Sequence, residues 1–193
     1  MTDAIIDLSH LNANPDFQAA RAAGIQAVIH KATQGTTFID PAYDAHRQAA
    51  TAAGLSWAAY HFGDASDPVA QADFFLEKLG LVPPRVLALD FEQQMTLTQA
   101  RAFVTQIHAA TGRWPVLYGG DYLKQLLGGT KDPVLANCCL WLADYAESAT
   151  LPANWQAWTM WQYTSGATVP GIGPCDRSRF NGSAAALEKF FTQ

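Results

Sequence analysis

Asn14-Pro15, Asp40-Pro41 and Asp67-Pro68 each open a helix-compatible stretch, and Gly24, Gly54 and Gly80 each close one. An Asx side chain accepts from the orphan amides of a first helical turn, and proline at the first helical position gives up a donor that has no partner there. Glycine just past the last turn takes a left-handed conformation without a Cβ penalty. A fourth helix, residues 98–111, ends at Gly112 in the same way. The closing glycines recur at intervals of roughly 30 residues, the length of one strand, loop and helix. Such units in succession build a parallel sheet covered by helices.

The runs between the helices agree. Residues 4–8, 25–30, 55–62, 85–91 and 114–118 are short, apolar and β-prone, without the clean alternation of a half-exposed strand. After residue 130 the helical signal fades. Residues 138–145 and 158–163 read as strands, 166–173 as a turn-rich loop, and 183–191 as a last helix. No low-complexity linker divides the chain, so the reading is one α/β domain over residues 1–193. It is an abbreviated TIM-like barrel with βα units first and mostly strands later, because a full eightfold barrel takes about 250 residues.

Composition narrows the function classes. With 49% hydrophobic and 15% charged residues the chain can build a real core. A net charge of −5 argues against nucleic acid as a partner. No apolar run reaches the roughly 18 residues that membrane insertion requires. Three cysteines, two of them adjacent at 138 and 139, make a poor disulfide framework, and Cys138, Cys139 and Cys175 read as small buried hydrophobes. The N-terminus carries no basic segment followed by a long apolar one, so the expectation is synthesis in a reducing cytoplasm without a signal peptide.

In parallel α/β folds chemistry sits at the carboxyl ends of the strands. Those ends read Asp7-Leu8-Ser9-His10, His30-Lys31, Tyr60-His61, Asp90-Phe91-Glu92, Tyr118, Asp144-Tyr145 and Trp161-Gln162-Tyr163. The five histidines lack metal-ligand spacing, and no glycine-rich phosphate loop follows the first strand, so neither a metal nor a nucleotide cofactor is expected. Asp90-x-Glu92 is the sharpest feature. Residues i and i+2 of a strand share a face, and two carboxylates in a partly dry site split their proton affinities, as glycoside hydrolysis requires. The plainer alternative is a solvated acid pair capping the next helix. Asp7 reads equally as an Asx turn, Asp176 as a turn residue, and His30 and His61 as hydrogen-bonded barrel residues. Lys31 calls for a partner, with Asp7 or Asp90 the candidates. Trp141, Trp158 and Trp161 suit the core or a sugar-stacking rim.

The chain resembles glycoside hydrolase family 25, the Chalaropsis-type lysozymes that cut bacterial peptidoglycan. The matching segments include Ile6-Asp7-Leu8-Ser9-His10, Val28-Ile29-His30-Lys31-Ala32-Thr33-Gln34-Gly35, Ala59-Tyr60-His61-Phe62 and Leu89-Asp90-Phe91-Glu92. Later come Leu140-Trp141-Leu142-Ala143-Asp144-Tyr145, Trp161-Gln162-Tyr163-Thr164-Ser165-Gly166, and Gly171 through Asp176 to Phe180. They run in family order over nearly the whole chain. The resemblance implies five βα units followed by three strands, and cleavage of the β-1,4 bond between N-acetylmuramic acid and N-acetylglucosamine. It makes Glu92 the general acid and gives Asp90 the orientation of the substrate's acetamido group. Asp7 and Asp176 would line the same site, and Tyr60 and Gln162 would contact substrate; Lys31, His61, Tyr118 and Trp141, at or near the strand ends, are further substrate-binding candidates. The chain departs from the family after His10, at Cys175, and in the short loop at residues 63–67, which bears on the sugar subsites.

Two other readings remain open at this stage: a related N-acetylhexosaminidase or chitinase-like hydrolase, and a non-catalytic glycan-binding barrel. The muramidase reading carries two further expectations. The enzyme would reach the cell wall or periplasm through holin-type release or a secretion system, and a delivered toxin would have an immunity protein as partner.

Overall fold

The computed structural model describes residues 1–193. Its elements run β1 (Thr2–Leu8), α1 (Phe17–Ala22), β2 (Ala27–Gln34), β3 (Phe38–Ile39), α2 (Tyr43–Ala52), β4 (Ser56–Phe62), α3 (Pro68–Leu79), β5 (Leu87–Asp90), α4 (Leu97–Thr111), β6 (Val116–Gly119), α5 (Asp121–Leu127), β7 (Cys139–Ala143), β8 (Met160–Val169), β9 (Gly173–Phe180) and α6 (Ala184–Thr192). The sheet order is β1-β9-β8-β7-β6-β5-β4-β2, and a parallel β1–β2 pairing closes the ring into an eight-stranded barrel, with β3 appended to β2. β9 alone runs antiparallel to both its barrel neighbours. Five βα units followed by three strands is the expected architecture.

Helix starts follow the sequence in part. Asp67 caps α3, accepting from Ala70 N at 2.8 Å, with Pro68 in its first turn. Thr96 and Gln99 form a reciprocal capping box on α4, which ends at a left-handed Gly112. α1 is capped by Asp16 rather than Asn14. Asp40 caps nothing in the expected sense. Its Oδ1 accepts from Ala42 N at 2.9 Å, Oδ2 is taken by His10, and α2 starts at Tyr43.

Three further differences have local causes. The structure adds α5, whose N-cap is Gly120 with no side chain to signal a start. The expected loop at 166–173 is the end of β8 and the turn of a β8–β9 hairpin, so Asp176 lies on a strand. Cys139, expected to be buried, is exposed at the start of β7, while Cys138 and Cys175 are buried.

Two apolar layers hold the barrel. The outer one joins sheet to helices, for example Phe75 of α3 and Phe103 of α4. The inner one fills the barrel. At the end where β5, β6 and β8 begin, α6 inserts Leu187 and Phe191 among Val86, Val116, Met160 and Phe180. Burying each of those two side chains is worth about 1.5–3 kcal/mol. That end is therefore a packed floor, and the opposite end is left to polar residues.

Candidate active site

Side chains alternate across each strand. Ile5, Ala58 and Ala88 are in the inner layer, and their neighbours Ile6, Ala59 and Leu89 are in the outer one. Carried to the carboxyl ends, this alternation sends Asp7, Lys31, Tyr60, Asp90, Tyr118, Trp141 and Gln162 into one cavity of about 250 Å³. Ser9, His10, Leu11, Phe62, Glu92 and Asp176 complete its wall. A larger cavity, about 730 Å³, opens at the opposite end between α6 and the strand starts. Its charged side chains are Arg85, Arg113 and Lys189, with no Asp or Glu side chain among its lining residues. No group of three or more His, Cys, Asp or Glu side chains is arranged to hold a metal ion.

Asp7 and Asp176 face each other across the antiparallel β1–β9 pair. Gln162 ties them together. Its Nε2 donates to Asp7 Oδ1 and Oδ2 at 3.0 and 3.1 Å and to Asp176 Oδ2 at 3.3 Å. Its Oε1 accepts from the Tyr118 and Tyr145 hydroxyls at 2.8 and 2.7 Å. Gln162 is only 1% exposed. An amide has two donors and two acceptor positions, so this one is saturated by protein. Gln162 thus holds two carboxyls and two hydroxyls in place while lining the cavity where substrate contact was expected. Burial, then the charge of Asp176, pushes the Asp7 carboxyl well above its ordinary range, and burial pushes Asp176 in the same direction. Like charges this close hold a proton that either alone would release.

Asp90 ends β5 and is 9% exposed. Burial, then the charge of Glu92, pushes its carboxyl well above the ordinary range, with Lys31 opposing. Its Oδ1 is buried without a hydrogen-bond partner. The backbone there is fixed by Gly63, whose N–H donates to Asp90 O at 3.0 Å. A Cβ on Gly63 would stand 2.7 Å from Met95 Sδ, so a larger residue there would have to displace the methionine side chain. Phe91 turns outward and stacks on Tyr122 at 5.6 Å. Glu92, exposed just past the strand, turns back to the mouth. Glu92 and Tyr118 also line a second cavity of about 470 Å³, with Asp121, Tyr122, Asp144 and Tyr145. Glu92 thus stands between two adjoining recesses.

The remaining expected residues divide. Tyr60 lines the cavity, and burial with the surrounding carboxylates raises its hydroxyl, keeping it a neutral donor. Trp141 is floor, 2% exposed, its indole N–H donating to Ser178 Oγ at 3.0 Å. Lys31 lines the cavity but forms no ion pair with Asp7 or Asp90, a correction to that expectation. Its Nζ donates to Gln34 Oε1 at 2.6 Å and lies 5.2 and 4.8 Å from the ring centres of Phe38 and Phe62.

His61 does not reach the cavity, contrary to expectation. It is completely buried on the outer face, bonded through Nδ1 to Thr33 Oγ1 at 2.8 Å and through Nε2 to Gln71 Oε1 at 3.0 Å, and stacked on Phe103. Tyr60 and His61 are consecutive on one strand, so strand parity sends one in and the other out. His30, read from sequence as a hydrogen-bonded barrel residue, is likewise outer, stacked on Trp57 and bonded to His46 at 2.9 Å. Sequence reasoning passed over Tyr145, whose only signal was its place at a strand end. It also passed over His10 as a site residue; its ring Nδ1 is held by buried Asp40 at 2.8 Å.

The family model described as glycosyl hydrolases family 25 matches residues 6–172. Lysozyme M1 of Streptomyces globisporus is 32% identical over 202 residues, covering 94% of this chain and 69% of that protein. The N,O-diacetylmuramidase of Chalaropsis sp is 28% identical, over 96% of this chain and 97% of its own. A family GH25 lysozyme structure from Aspergillus fumigatus superposes with a TM-score of 0.86 at 32% identity, covering 100% of both chains.

Proposed function

This chain belongs to glycosyl hydrolases family 25, and on that footing we propose that Glu92 and Asp90 together carry out its hydrolysis of peptidoglycan. It is a hydrolase of the lysozyme type, a muramidase. The bond cut is the β-1,4 link from N-acetylmuramic acid to N-acetylglucosamine. The observation that carries the assignment of roles is the position of Glu92 on the divide between two recesses, with Asp90 buried in the smaller one.

A glycan lying across that divide puts its glycosidic oxygen beside Glu92. There the Glu92 carboxyl group serves as the proton donor to that oxygen. The muramyl residue sits over Asp90. There the acetamido N–H supplies the partner that Asp90 Oδ1 lacks, and the carboxylate steadies positive charge developing on the amide. The acetamido oxygen then bonds to C1 as the bond from C1 to the leaving oxygen breaks and Glu92 protonates that oxygen. In the second step Glu92 takes a proton from water, the resulting hydroxide bonds to C1, and the acetamido group is released. Two inversions give net retention. The Asp7–Gln162–Asp176 cluster and the two tyrosines shape the wall around the ring.

The deciding experiment follows clearing of purified peptidoglycan by wild type and Glu92→Gln. Glutamine keeps the size but donates no carboxyl proton, so a loss of about 10²–10⁴-fold with unchanged melting is expected. Equal activity would remove Glu92 from the role. New reducing ends must be muramic acid; glucosamine ends would make the enzyme an N-acetylglucosaminidase.

A further inference from the structure

Four carboxylates line the catalytic cavity, and Lys31 is the one Lys or Arg among the lining residues. Its position is built. The register of β2 against β4 steps between Lys31 and Thr33, a bulge that turns Ala32 and Thr33 outward and brings Lys31 and Gln34 to the same side. His30 secures the bulge from the outer face, its Nδ1–H donating to Lys31 O at 2.7 Å. Phe38 and Phe62 flank the ammonium with their rings, and Gln34 Oε1 is its one hydrogen-bond acceptor. An ammonium has three donors. Two are therefore unclaimed by protein, although carboxylates line the same cavity and none comes within ion-pair distance.

We propose that Lys31 is a specificity-determining residue whose free N–H groups bind the 3-O-lactyl carboxyl group of the muramyl residue, as a carboxylate or as the amide carbonyl of a stem peptide. This rests on the muramidase reading above and adds to it what selects the sugar. Muramic acid differs from glucosamine only at that lactyl group. Apart from position 3, the ring substituents are common to both sugars, and the acetamido group is taken by Asp90. A lactyl carboxylate entering a cavity lined by Asp7, Asp90, Glu92 and Asp176 meets repulsion unless a cation faces it, and Lys31 is placed to be that cation. A site built to hydrogen-bond one substrate group discriminates against the analogue that lacks it.

The test crosses enzyme with substrate. Wild type, Lys31→Met and Lys31→Arg are assayed on a tetrasaccharide of alternating N-acetylglucosamine and N-acetylmuramic acid with free lactyl carboxylates. The same three are assayed on that tetrasaccharide with the carboxyls reduced to alcohols. Wild type should lose about tenfold or more in kcat/KM on the reduced substrate, mainly through KM. Lys31→Met should show that loss already on the carboxylate substrate and no longer distinguish the two, while Lys31→Arg keeps the distinction. A wild type indifferent to reduction overturns the proposal, and that arm needs no variant to fold. Equal losses by Lys31→Met on both substrates also overturn it, assigning Lys31 to the electrostatics of Asp90, with a shifted pH profile. Failure of wild type on both tetrasaccharides and on whole peptidoglycan would instead bring down the muramidase reading itself.

Discussion

Polar side chains lie on both faces of the barrel sheet around β2, β4 and β5, and the two sets live under opposite rules. On the outer face His61 uses both ring nitrogens, His30 bonds to Lys31 O and to His46, and Gln71 serves His61 and the backbone of Asp64. These groups are neutral and satisfied, and burial pushes His30 and His61 down to about 4, far from taking a charge at neutral pH. On the inner face Asp90 keeps a buried oxygen without a partner, Asp7 faces Asp176, and Lys31 uses one donor of three. The outer face stabilises the fold; the inner one holds groups whose missing partners, on the reading proposed above, are atoms of the substrate. Polar burial alone therefore does not mark a site in this molecule, and neither does one unpartnered atom, since Asn154 Nδ2 is also buried without a partner outside the cavity; what marks this site is incomplete pairing gathered at one mouth.

The sharpest break of that contrast is Asp90→Asn. We expect kcat on peptidoglycan to fall by about 10²–10³-fold, because the charge opposite the reacting acetamido group is gone. The same change removes an unfavourable buried charge, so the melting temperature should rise by roughly 2–4 °C for each kcal/mol recovered. A fall in both would mean that Asp90 is a structural group like His61.

His61→Leu should do the reverse. It leaves Thr33 Oγ1 and Gln71 Oε1 without their imidazole partner at a cost of about 2–4 kcal/mol, a drop in melting temperature of roughly 5–15 °C. Activity per folded molecule below the transition should stay within about twofold of wild type. A selective loss of kcat would return His61 to the site.

The smallest effect is in the pH dependence of stability, and the two faces give opposite signs. A histidine held near 4 in the fold and near 6.5 in the unfolded chain makes the unfolded state bind more protons between those values. Stability is lost as pH falls from about 6.5 to 4. The raised carboxyls of Asp7 and Asp90 make the folded state bind more protons than the unfolded chain, so their contribution is lost as pH rises above the ordinary value of 3.8. Melting curves across pH should show Asp90→Asn losing part of the alkaline decline and His61→Leu losing part of the acid one. Unchanged slopes in both variants would remove the electrostatic half of the comparison.

Much of this was legible in the chain. Asp67-Pro68 and Gly112 punctuate helices because capping is local chemistry, settled within one turn. The apolar run before Asp90 and the family resemblance together located the acid pair. Illegible were α5, whose start carries no side-chain cap, and the strand nature of Asp176, since a stretch with glycines and a proline serves a hairpin as well as a loop.

The sequence by itself determined the architecture, the chemistry at the strand ends and the family, since these follow from periodicity, local capping and ordered motifs. Only the tertiary structure decided which neighbour of each pair faces the cavity. Tyr60 goes in and His61 out, Lys31 goes in just before a bulge and His30 out, and Gln162 binds Asp7 and Asp176. The physical reason is that a hydrogen bond between residues 155 apart, or the closure of β1 onto both β2 and β9, has no local signature. It exists only once the barrel closes and gives every strand an inside and an outside.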